Sequence, residues 1–127
     1  RLVDKNGKPV VLRGVSFGWH NWWPRFYTEG TVKWLHDDWK CTVVRAAMGV
    51  EPDHGYIKDS AGSVSKIKAV VDAAIKEGIY VIIDWHSHNI NLNEAKIFFK
   101  KSNHTLVGSN IWIEGPKGGK YSPFKAR

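Results

Sequence analysis

The sequence predicts an α/β fold built on a parallel sheet, with a barrel preferred to a doubly wound arrangement. Three observations lead there. Thr42-Val43-Val44-Arg45-Ala46-Ala47-Met48-Gly49 and Ile79-Tyr80-Val81-Ile82-Ile83-Asp84-Trp85-His86-Ser87-His88 are nearly continuous apolar runs, as strands covered on both faces must be. Stretches with apolar residues at helical spacing precede and separate them, so strands and helices alternate. No glycine-rich phosphate loop follows the first strand, as a dinucleotide-binding sheet would require. Both runs end abruptly in polar, aromatic or glycine residues, which is how a barrel strand delivers side chains to a cleft at its carboxyl end.

The elements follow in order. Leu2-Val3-Asp4 and Pro9-Val10-Val11-Leu12-Arg13 flank Lys5-Asn6-Gly7-Lys8, and Asn-Gly tolerates the positive φ of a tight turn, so the chain opens with a predicted β-hairpin. Val11 to Ser16 reads as the first core strand, and Phe17 to Tyr27 as an aromatic loop. Thr28 caps an amphipathic helix reaching Lys40, with Val32, Leu35 and Trp39 on its apolar side. The Cys41 to Met48 strand comes next. Val64, Ile67, Val70, Val71, Ala74 and Ile75 then mark a second helix, capped by Ser63 and stopped at Gly78. After the Ile79 strand, Asn93 caps a predicted third helix over Glu94 to Lys101, with Ile97 and Phe98 apolar. Ile111-Trp112-Ile113 is a candidate fourth strand, and Gly115 to Arg127 reads as loop or a disordered end.

Composition narrows the function classes. A 127-residue chain that is 43% hydrophobic and 13% aromatic can pack one core. The net charge of +7 raises the question of nucleic acid. The lysines are scattered, however, and neither Lys100-Lys101 nor the Lys117 to Arg127 tail contains a nucleic-acid motif, so solvated surface charge is the expectation. Cys41 is alone and reads as a buried thiol. No signal peptide or membrane-length apolar run is visible, and a start at Arg1 rather than methionine suggests a processed or excised segment. Asn103-His104-Thr105 is a formal glycosylation acceptor, meaningful only in a secreted chain.

Several residues carry potential chemistry. Arg45 sits in an apolar strand, where a fixed charge is costly to bury without partners, so it argues for a carboxylate nearby. His86 and His88 project to one side if the strand continues; with His54 and Asp53 they could be read as metal ligands, but the spacing is not diagnostic. No metal or cofactor is expected. Trp34 and Trp39 fall on the first helix and read as packing, Trp23 beside Pro24 likewise, and Glu51 and Asp53 read as turn residues.

Leu12-Arg13-Gly14-Val15-Ser16, Val43-Val44-Arg45 and Val81-Ile82-Ile83-Asp84-Trp85-His86 stand in register with three motifs of one family, and the chain resembles glycoside hydrolase family five. More closely it resembles that family's endo-β-1,4-glucanases, from Leu2 to about Phe99, with Val32-Lys33-Trp34-Leu35 and Asp38-Trp39 included. The resemblance implies a partial (β/α)8 TIM barrel: residues 1–101 as the N-terminal half of the catalytic domain, about its first three to four β/α units, and 102–127 as a divergent segment. Such barrels run to about 250 residues. It implies hydrolysis of internal β-1,4-glucosidic bonds by a retaining mechanism with two carboxyl groups, on a β-glucan polysaccharide, by a secreted, extracellular enzyme. Arg45 would support the nucleophile, which lies on a later strand, so that partner is expected outside this chain. His86 would bind sugar hydroxyls near the scissile bond, with His88 beside it. Trp19, His20 and Trp22 would form an aromatic platform for pyranose faces, against the alternative that the indoles seal the barrel top. The family's acid/base glutamate follows an asparagine in Asn-Glu-Pro; the nearest string here is Ile111-Trp112-Ile113-Glu114-Gly115-Pro116. Glu114 is displaced by one position and lacks the asparagine. A chain holding half a barrel is expected to be inactive alone, a glucan-binding fragment being the alternative reading, and to self-associate through its open edges.

Overall fold

A computed structural model of the chain describes residues 2–4, 6–89, 91–99 and 107–113. Its elements run β1 (Gly14–Ser16), a 3-10 turn (Pro24–Phe26), α1 (Glu29–Asp37), β2 (Val43–Gly49), α2 (Ser60–Glu77), β3 (Tyr80–Ser87), α3 (Leu92–Phe99) and β4 (Val107–Ile113). The four strands form one sheet in the order β1-β2-β3-β4, every pair parallel. A doubly wound sheet reverses its strand order at a switch point and puts helices on both faces. Here the order never reverses, and α1 packs against α2, which also contacts β2 and β3. The fold is a partial (β/α)8 barrel, an arc of wall with its helices outside.

The pleat divides the wall into two surfaces. Val44, Ala46 and Met48 of β2, with Val81, Ile83 and Trp85 of β3, are buried with Val32 and Leu35 of α1 and Ile67, Val70, Ala73 and Ala74 of α2. Alternate residues point to the other surface. Ser16 pairs with Arg45, Ala47 with Asp84 and Gly49 with His86, so Ser16, Arg45, Asp84 and His86 stand on the face away from the helices, while Ser87, the last residue of β3, follows Trp85 to the other. One apolar strand thus serves a core on one side and a cleft on the other.

The helices begin and end for local reasons. Thr28 caps α1, its Oγ1 accepting from Thr31 N–H at 3.2 Å. The cap of α2 is Asp59, which accepts from Gly62 N–H at 2.9 Å. Ser63, the expected cap, instead lies inside the first turn and is buried; the aspartate four residues earlier reaches the orphan amides first. Gly78 ends α2 in the left-handed region at φ +71°, its N–H bonded to Ala74 and Ile75 carbonyls, a conformation that favours glycine. Cys41 is a buried free thiol, as its sequence context suggests.

Other expectations need correction. The N-terminal hairpin is present but short, one antiparallel bridge from Val3 to Pro9 around Gly7 at φ +78°, closed by Asp4 N–H to Lys8 C=O at 2.8 Å and Val10 N–H to Leu2 C=O at 3.2 Å; the Pro9 nitrogen faces out of this pair, where a missing N–H breaks no bond. Helix α3 starts at Leu92, so Asn93 lies within it rather than capping it, and Ile97 is exposed while Ala95 and Phe98 are buried. Trp34 and Trp39 are 51% and 60% exposed. The buried stripe of α1 is Val32 and Leu35, and the helix stops at Asp37, before Trp39. The two indoles contact each other at 5.3 Å and line an open apolar groove of about 420 Å³ with Val15, Phe17 and Phe26.

Candidate functional site

Ser16 at the end of β1, Arg45 within β2, and Asp84 and His86 in the second half of β3 come together on one face of the sheet. Arg45 donates through one terminal nitrogen to Ser16 Oγ at 2.7 Å and through the other to Asp84 Oδ2. The second nitrogen also lies 3.2 Å from His86 Nδ1, which is 3.1 Å from the same Asp84 oxygen. Asp84 is wholly buried, and the Arg45 side chain is 30% exposed. A carboxylate accepts from both neighbours, whereas guanidinium only donates. The arrangement therefore favours the His86 tautomer with its proton on Nδ1, directed at Asp84, and the lone pair on Nε2. The carboxylate inferred from Arg45 in an apolar strand is present within this chain. It is Asp84 on the neighbouring strand, rather than a group supplied only by a later one.

The loop after β1 folds back over this rim. Its backbone follows β2 beyond the strand, Phe17 N–H bonding Arg45 C=O at 2.9 Å and His20 N–H bonding Ala47 C=O at 3.1 Å. Trp19 consequently lies 4.5 Å from the His86 ring and 5.2 Å from the His88 ring. Trp22 stacks on Trp19 at 4.6 Å and 10° between planes, with 60% of its surface exposed. Gly49 makes room for this: a Cβ there would stand 3.0 Å from Trp19 Cε3 and 2.3 Å from Asn21 Oδ1. Trp23 turns the other way, toward Phe26 and the outer groove.

His20 does not belong to the exposed platform. It is 1% exposed, its Nδ1 accepts from Gly49 N–H at 3.2 Å, and its Nε2 meets Ser63 Oγ at 2.8 Å. With both ring nitrogens engaged, no sugar hydroxyl can reach it. Burial, helped by the positive charge of Lys66, lowers its pKa from 6.5 to about 4. Between those values the unfolded chain binds the extra proton and the folded chain does not. The stability due to neutral His20 is therefore full above about pH 6.5 and is lost as pH falls toward 4. Thermal midpoints measured from pH 7 to 4 should decline more steeply for the parent than for His20→Gln; parallel curves would contradict the assignment.

Glu51 also departs from expectation. It anchors rather than merely turning the chain: its carboxylate accepts from Ser87 Oγ at 2.7 Å, His88 N–H at 3.0 Å, Asn89 N–H at 2.9 Å and Asn91 Nδ2 at 2.9 Å. Burial alone would raise its pKa, but the bonds from His88, Ser87 and Asn89 outweigh it and hold the group below the ordinary range. This clasp ties the end of β2 to the end of β3 and sets the backbone at His88. Asp53, by contrast, is exposed and paired with Lys58, and His54 sits in a turn at φ +61°, so they do not gather with His86 and His88 as metal ligands. Among the described residues, the compact group with metal-ligand chemistry is His36, Asp37 and Glu77, at the carboxyl ends of α1 and α2. Glu114 and Asn103 lie outside the described residues. β4 itself is longer than expected and pairs in parallel with β3 throughout.

Asp84, Glu51 and Ser63 were the residues of this site least visible in advance. For Asp84 the signal was present: it alternates with His86 and His88 on one face of a strand otherwise apolar.

Comparison with known proteins adds to this geometry. Residues 3–114 match the family model for cellulase, glycosyl hydrolase family 5. The chain is 48% identical over 99 residues to endoglucanase Z of Dickeya dadantii, covering 74% of this chain and 23% of that one. It is 47% identical over 98 residues to endoglucanase A of Evansella cellulosilytica, covering 73% and 20%. Among solved structures, the catalytic domain of Thermobifida fusca endoglucanase Cel5A superposes with a TM-score of 0.74 at 32% identity, over 84% of this chain and 38% of that one. A variant of that domain, solved in complex with cellotetraose, gives 0.74 at 30% identity, over 94% and 41%. The chain thus spans less than a quarter of these curated relatives and about two fifths of the solved domain.

Proposed function

This chain belongs to the cellulase family, glycosyl hydrolase family 5, and from that premise we propose that it is the N-terminal part of an endo-β-1,4-glucanase barrel. The observation that carries the reading is the Arg45–Asp84–His86 cluster beside the stacked Trp19 and Trp22. Flat indoles take the apolar faces of glucose rings, and His86 takes a hydroxyl, so a neutral polysaccharide is held without charge complementarity. Arg45, kept in place by Asp84 and Ser16, supplies a fixed positive charge at the rim. Retaining hydrolysis also needs a nucleophile and an acid/base carboxyl about 5 to 5.5 Å apart. Those come with the rest of the barrel, Glu114 being the one candidate this chain holds. Cellulose is insoluble and cannot enter a cell, which supports an extracellular site of action.

A second reading, a glucan-binding chain without turnover, has one observation in its favour. Among the described residues the two carboxylates near the rim, Asp84 and Glu51, are both committed to holding other groups. β1 and β4 each have one strand neighbour among the described residues, and their open edges would be closed by the remaining barrel strands or, in isolation, by a second copy. The deciding experiment measures reducing-sugar release from carboxymethyl cellulose by the 127-residue chain and by the same chain completed to an eight-stranded barrel. Release by the completed protein only is expected; a folded, completed protein that binds glucan but releases nothing would favour the second reading.

A further inference from the structure

We propose that His20 and Ser63 are positioning residues that lock the Trp19–Trp22 platform over the cleft from the first turn of α2. The claim rests on the reading of that platform as a sugar-binding surface, and deepens it. Ser63 is 1% exposed, although a serine in a helix's first turn has no need of burial, and its hydroxyl faces His20 Nε2 at 2.8 Å. His20 Nδ1 accepts from Gly49 N–H, which fixes the proton on Nε2 and makes Ser63 Oγ the acceptor. His20 is joined by its peptide bond to Trp19, and Gly49 is the residue over which Trp19 lies. One neutral imidazole thus links three things: the amino end of α2, the carboxyl end of β2, and the indole against His86 and His88. Tyr27 secures the other side of the loop, its hydroxyl donating to Gly18 C=O at 2.7 Å and accepting from Ala47 N–H at 3.0 Å.

The inference separates position from binding. Ser63 is buried in the first turn of α2 and its hydroxyl meets His20, so its loss should leave the sugar-contacting groups chemically intact but misplaced. Ser63→Ala deprives a buried N–H of its acceptor, and the imidazole must rotate or admit water. The stacked indoles give a near-ultraviolet circular dichroism signature that does not depend on sugar. In Ser63→Ala that signal should fall to less than half with the far-ultraviolet spectrum unchanged. In the completed barrel, KM for cellotetraose should rise about tenfold while kcat stays within about twofold. Ser63→Cys, which keeps a weak acceptor, should fall between, and it carries the test if the alanine variant does not fold. An unchanged near-ultraviolet signal, or a fall in kcat at constant KM, would overturn the proposal. A parent protein that ignores cellotetraose while the spectral effect of Ser63→Ala persists would sink the sugar-platform reading and leave the latch standing.

Discussion

Asp84→Ala is expected to destabilise the chain by about 3 kcal/mol or more and, in a completed barrel, to lower kcat/KM by at least a hundredfold. The basis is an asymmetry in buried ion pairs: the pair as a whole contributes little against an apolar substitute, but removing one partner leaves the other uncompensated, at about 3–5 kcal/mol. Arg45 keeps 30% of its side chain exposed, so water can recover part of that and the lower end of the range applies. The functional loss has a different origin. Without Asp84, Arg45 retains Ser16 as a partner but no longer has the acceptor that aligns it, and His86 loses the group that selects its tautomer. A double variant, Arg45→Met with Asp84→Leu, separates the two effects. It should recover most of the urea midpoint of unfolding, because no charge is left stranded, while activity stays lost. If Asp84→Ala unfolds at the parent's midpoint, the pair has been misread.

How much of this was legible beforehand depends on the period of the signal. Strands β2 and β3 were readable within two residues and helix α2 within four, its start misplaced with its cap, because long apolar runs and a helical period state them redundantly. Arg45 was readable because a charge in an apolar strand violates its surroundings and so demands a partner, and His86 because it ends the family motif Val81-Ile82-Ile83-Asp84-Trp85-His86. What failed to show was everything decided by contacts distant in sequence. Glu51 and Ser87 are 36 residues apart, and His20 and Ser63 are 43 apart; no local pattern tells a clasp from a turn, or a latch from a cap. The same limit misplaced His20. Its neighbours Trp19 and Trp22 face the cleft, but a residue between two aromatic platform members in an irregular loop has no period to say which way it turns. Trp34 and Trp39 depart in the opposite direction, because Trp34 lies off the buried stripe of Val32 and Leu35 and Trp39 lies beyond the end of α1 at Asp37.

The indoles at the rim can be made to declare which role they serve. Trp22→Ala should weaken cellotetraose binding about tenfold with the melting temperature almost unchanged, because a side chain 60% exposed makes little of the core. Trp19→Ala should cost both, since that ring is half-buried and packs on His86, His88 and Trp22. A stacked aromatic contributes about 0.5–1.5 kcal/mol beyond its buried area. Two such surfaces with their area come to roughly 3 kcal/mol, about a hundredfold in affinity. The double variant should therefore bind about a hundred times more weakly, measured by calorimetry on the completed barrel. The packing alternative makes the reverse forecast. Indoles that only seal the barrel top would leave cellotetraose affinity unchanged in Trp22→Ala and show their loss in stability alone. The exposed ring discriminates better than the half-buried one, because its removal costs one stacking contact with Trp19 and otherwise only the surface that a sugar would meet.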